Sequence, residues 1–105
     1  MIKVTFEAGN GVIKNVCISG HSGYAEEGSD IVCAAVSSAA IMTFNTITEV
    51  MKLKADVTEN DGYLKFCLSD QEAVKSADIL EGLKLHLLGL SEQYKTYIKV
   101  KFSEV

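Results

Sequence analysis

"DIVCAAVSSAAIMTFNTITEVM", residues 30–51, decides the fold class. Within it Val36, Ala40, Phe44, Ile47 and Met51 recur at spacings of three and four, which puts one apolar stripe along a helix. Ser37, Ser38, Asn45, Thr48 and Glu49 fall mostly on the other side. The many alanines let such a helix lie close to a sheet. Asp30 is a natural N-cap, its carboxylate accepting from the free N–H groups of the first turn.

On either side of this segment the period is two. Residues 2–7 alternate Ile2, Val4 and Phe6 against Lys3, Thr5 and Glu7, as a half-buried strand does. "GNG" at 9–11 is a turn, and residues 12–19 set Val12, Val16 and Ile18 against Ile13, Asn15 and Cys17, completing a hairpin. A second hairpin runs from 53–59 through "NDG" (60–62) to Leu64, Phe66 and Leu68. "SDQE" (69–72) is a capping box opening a second helix, with Ser69 as N-cap. Ala73, Ala77, Leu80, Leu83, Leu87 and Leu90 form its core stripe. Residues 94–102 close the chain as a strand. The order β-β-α-β-β-α-β predicts an α+β domain, a mainly antiparallel sheet with two helices, over residues 1–105. Exposed sheet edges and a small core point to a homodimer.

Composition narrows the function. The chain has 105 residues and a net charge of −4, and all ten of its basic residues are lysine. Without arginine it lacks the bidentate fork and basic field that read phosphate or guanine, so direct nucleic-acid binding is not expected. A basic peptide partner fits the charge. The apolar run at 31–42 is interrupted by Ser37 and Ser38 and is too short to span a bilayer. The N-terminus lacks the apolar core of a signal peptide, so a cytoplasmic location is expected. Cys17, Cys33 and Cys67 then read as reduced thiols. With two histidines and no CxxC spacing, neither a structural metal nor a cofactor is expected.

The chemistry concentrates just before the helix, in "GHSGYAEEGSDIVCAAVSS" (residues 20–38). With Asp30 as N-cap, Cys33 is the third helical residue, where the dipole and unpaired backbone donors favour a thiolate. His21 ends the second strand, and Gly20, Gly23 and Gly28 let the loop fold back so that strand end and helix start become neighbours. A thiol beside an imidazole is the working pair of cysteine hydrolases: the histidine takes the proton and later delivers it to the leaving amine. The N–H groups of Cys33 and Ala34 are candidates for stabilising the oxyanion. Spacing alone also admits a plainer reading, with Cys33 filling space in an Ala/Val helix and His21 an ordinary loop side chain.

The same stretch resembles the signature of the ribosomal-processing cysteine protease family, Prp. A Gly-His pair is followed by Gly-x-Asp-x-x-Cys-Ala-Ala-x-Ser, matched by Gly20 and His21, then Gly28, Asp30, Cys33, Ala34, Ala35 and Ser37. Ser22 departs from the pattern, where alanine is more usual. The resemblance implies an endopeptidase that removes an N-terminal extension from a large-subunit ribosomal protein, the twenty-seventh, cutting after an aromatic residue in a basic, apolar peptide. It assigns Cys33 as nucleophile, His21 as general base and Asp30 as an orienting residue. Gly20, Ser22, Gly23, Glu26, Glu27, Gly28, Ala34 and Ser37 are then expected at the substrate, with Glu26 and Glu27 attracting a lysine-rich segment. Two other classes are consistent with the residues. A non-catalytic ribosome-assembly module would not be labelled at Cys33 by a substrate-like trap, and a general thiol esterase would lack peptide preference.

Overall fold

Asn10 and Gly11 take positive φ (55° and 81°) and return the chain between β1 (Ile2–Gly9) and β2 (Val12–Ser19). Such a two-residue turn has the twist that paired strands require. The computed structural model describes residues 1–20 and 27–104, with the backbone alone for 27–30. It continues through α1 (Glu27–Asn45), a π-helical turn (Thr46–Val50), β3 (Asp56–Asn60), β4 (Tyr63–Cys67), α2 (Asp70–Lys75), α3 (Ala77–Gln93) and β5 (Ile98–Glu104). The strands form one sheet in the order β3-β4-β2-β1-β5, antiparallel except for the β1–β5 pair. This is the expected α+β architecture.

The core lies between one face of the sheet and the helices. Val4, Phe6 and Val16 from the sheet meet Val32, Val36, Ala40 and Ile47 from the α1 segment, with Leu80 and Leu87 from α3, all essentially without solvent exposure. Phe44 stacks on Phe66 with ring centroids 4.2 Å apart, fixing α1 over β4. Each fully buried side chain of this kind contributes about 1.5–3 kcal/mol. The segment Ile31–Val50 is longer than the apolar run read from sequence. By length and mean hydropathy (1.6) it reaches the range of a membrane span. Its buried residues nevertheless recur at helical spacing against the sheet, as in the core helix of a globular domain.

Several boundaries differ from the sequence reading, each for a local reason. Ile13 was expected on the face of Asn15 and Cys17, yet it is buried with Val16. The register passes from Ala8↔Ile13 to Glu7↔Asn15, so Lys14 is an extra residue in a bulge that lets Ile13 face inward together with Val16. The third strand begins at Asp56 because Met51–Ala55 closes the preceding helix: Lys52 takes φ 60° and Leu53 N–H donates to the Ile47 carbonyl at 3.0 Å. The second helix is two helices. Ser76 N–H donates to both the Glu72 and Ala73 carbonyls, and its own carbonyl accepts from Leu80, so it ends α2 and starts α3. The Ser69 cap forms as expected at α2, although its hydroxyl donates to the Glu72 carboxylate (2.7 Å) while accepting from the Glu72 N–H. The last strand starts at Ile98, since Tyr94–Tyr97 turns the chain from α3 into the parallel pairing with β1.

Helix α1 also starts earlier than expected, at Glu27 rather than after Asp30. Gly28 and Ser29 are tolerated because first-turn N–H groups have no intrahelical partner in any case. Asp30 is therefore inside the first turn instead of capping it. Cys33 is the seventh helical residue, not the third.

Candidate active site

Cys33 is half-buried on the flank of α1 and opens into a cleft of about 260 Å³. Ser37, Ala40 and Ile41 line the helix side of this cleft, one and two turns beyond the cysteine, as a 3.6-residue period dictates. Ile18, Gly20 and Leu64 line the sheet side. The far wall is the β3–β4 hairpin turn, from Glu59 through Asp61 to Tyr63. Gly20 holds two parts of this wall together: its N–H donates to the Gly62 carbonyl at 2.9 Å, and it takes φ +79° against the N-terminal backbone.

Of the residues expected at the substrate, Gly20 and Ser37 are at the cleft with Cys33. Ala34 is exposed and does not line it, and both its N–H and that of Cys33 fall past the first turn, within the helical hydrogen-bond ladder. They are not free oxyanion donors. The dipole argument for Cys33 weakens likewise, because its effect is confined to the first turn. Glu27, Gly28 and Asp30 are placed by their backbone at the start of α1. His21, Ser22, Gly23 and Glu26 lie outside the described residues. Among the described residues no group of three or more His, Cys, Asp or Glu is arranged to hold a metal ion.

Sequence reasoning missed the hairpin turn. "NDG" was legible as a turn, but nothing local says that it stands opposite Cys33. That follows from β4 pairing with β2 in the register Ile18↔Leu64 and Ser19↔Tyr63, which brings the turn to the Gly20 end of β2. Tyr63 bears a further mark of its setting. On the open face of the sheet, hydrogen bonding with the neighbouring Cys17 thiol, then negative charge on Cys17, partial burial and negative charge on Cys67, raise the phenol above its ordinary value of 10.0. The folded value lies above the unfolded one. Any stabilisation from this contact is thus present below about pH 10 and is lost as pH rises through the folded value. An absorbance titration should show a late phenolate phase that Cys17→Ala removes; an unchanged phase would contradict the contact.

Comparison with known proteins agrees with this fold. The model of the family described as "Cysteine protease Prp" matches residues 1–99. A ribosomal processing cysteine protease Prp of Bacillus subtilis is 30% identical over 89 residues, 79% of this chain and 80% of its own length. The crystal structure of SMU.848 from Streptococcus mutans superposes with a TM-score of 0.85 at 29% identity, covering 100% of this chain and 96% of its own. A Staphylococcus aureus Prp in complex with a substrate peptide gives a TM-score of 0.87 at 25% identity, covering 97% and 99%. Fold, cleft thiol and relatives together define a cysteine peptidase. The chain belongs to the cysteine protease Prp family.

Proposed function

We propose that this peptidase removes the N-terminal extension of the twenty-seventh large-subunit ribosomal protein, through Cys33 and His21. The observation that carries the reading is that Cys33 and Gly20, the residue directly before His21, line one cleft. His21 takes the thiol proton as Cys33 Sγ attacks the scissile carbonyl, and the resulting imidazolium protonates the leaving amine as the C–N bond breaks. The product is a thioester on Cys33, which water hydrolyses with His21 again as base. Asp30, one turn of helix before Cys33, orients the imidazole. A relative of the same fold is known in complex with a covalently linked product peptide, which supports the acyl-enzyme route.

Charge supports a lysine-bearing substrate. Glu59 and Asp61 stand on the cleft wall, adding to Glu26 and Glu27 where the chain enters α1. The same charge balance argues against direct nucleic-acid binding. The enzyme acts in the cytoplasm, where the ribosomal precursor is made, as a homodimer. The dimer reading is supported by α1, where Ile31 and Met42 are more than half exposed. Incubation with the extended ribosomal protein, followed by intact-mass measurement, should give two products summing to the precursor plus one water. An unchanged precursor mass beside active enzyme from a relative would overturn the substrate assignment.

A further inference from the structure

We propose that the free edge of β3 is a docking strand for the substrate, which continues from the cleft as a sixth strand of the sheet. The proposal rests on the peptidase reading above. At about 260 Å³ the cleft is small against an extended peptide of a dozen residues. The remainder of a peptide must lie on neighbouring surface, and β3 leads directly out of the cleft wall through Glu59 and Asn60.

Strand β3 is suited to this role. Among the described residues it is an outermost strand, paired only to β4, and all five of its residues are exposed. Alternate residues of such an edge present N–H and C=O groups with no strand to pair them. Natural edges are usually guarded against strand addition by lysine, proline or a bulge. The opposite edge, β5, carries Lys99 and Lys101, whereas "DVTEN" holds no lysine, proline or bulge and its charges are acidic. Its charge is instead that of a receptor for a basic chain: Asp56 and Glu59 in the strand and Asp61 in the turn, while Lys52 and Lys54 precede it at the end remote from the cleft. Val57, half-exposed on the helix side, offers an apolar contact between the acids. A lysine-bearing, partly apolar peptide in extended form matches this edge in charge and in backbone. Five residues of strand span about 17 Å, so about five substrate residues pair there.

The test is a backbone N-methyl scan of a peptide of about twelve residues taken from the ribosomal extension, read as kcat/KM with the wild-type enzyme. Methylation should cost about fivefold at every second residue along one flank of the cut and little in between, because only alternate N–H groups bond to an edge strand. Losses confined to the two residues flanking the cut would overturn the docking strand and leave the peptidase reading standing. No cleavage of even the unmethylated peptide would instead count against the peptidase reading. Docking is then decided separately by amide exchange of the Cys33→Ala protein with that peptide. Slowed exchange at alternate β3 residues supports docking, and unchanged exchange throughout Asp56–Asn60 overturns it.

Discussion

Cys33→Ala should lower peptide cleavage by about a thousandfold or more, the scale of losing a covalent nucleophile. The fold should survive. Cys33 is only half-buried and packs at the margin of the core, so trimming its sulfur leaves no enclosed cavity. A thermal melt beside the cleavage assay separates the two effects, with the melting temperature expected within a few degrees of wild type. His21→Ala should come close to the same loss, since an unassisted thiol lacks a proton acceptor and the leaving amine lacks a donor. Retained turnover by a folded Cys33→Ala protein would refute the mechanism.

Gly20→Val should be the most damaging single change to the fold near the cleft. Gly20 holds φ +79°, and a Cβ at this position would overlap the Met1 carbonyl oxygen. The left-handed conformation costs a side-chain-bearing residue about 1–2 kcal/mol, and a β-branched one more. The overlap involves backbone rather than a flexible side chain, so relief requires moving the start of β1, at an overpacking cost of about 1–3 kcal/mol. Together these take a large share of the 5–15 kcal/mol typical of a small domain. The melting temperature should fall by at least about 10 °C. Cleavage should fall with it, because Gly20 ties β2 to the hairpin wall through Gly62. A melting temperature equal to wild type would show that the N-terminal backbone yields freely there.

Fold class was legible because each element carries its own period. Alternation in residues 2–7 and the three-and-four spacing of Val36, Ala40, Phe44 and Ile47 are local signals, and the buried set follows them. What escaped depends on backbone detail that side-chain chemistry does not encode. The bulge at Lys14 reverses the face of Ile13, and Ser76 breaks a helix whose apolar stripe runs on without interruption. Of the residues singled out in "GHSGYAEEGSDIVCAAVSS", Cys33, Gly20 and Ser37 line one cleft. Asp30 was misread as a cap because an aspartate before an apolar run is the usual helix start, yet here the helix begins four residues sooner, at Glu27. Glu59 and Asp61 were invisible as site residues. Their position opposite Cys33 arises from strand pairing between segments more than forty residues apart.

The central claim is that Cys33, alone among the three cysteines, is a nucleophile presented to peptide. A limiting dose of a peptide vinyl sulfone carrying the aromatic residue and lysines of the proposed substrate tests it most directly, read by peptide mapping of the trapped protein. Cys17 and Cys67 lie on the open face of the sheet in β2 and β4, away from the helix side, and should remain unlabelled. The account predicts one adduct per chain, on Cys33, slowed by His21→Ala and by excess unreactive peptide. Labelling of Cys17 or Cys67 ahead of Cys33, or labelling of Cys33 that competing peptide leaves unchanged, would contradict it.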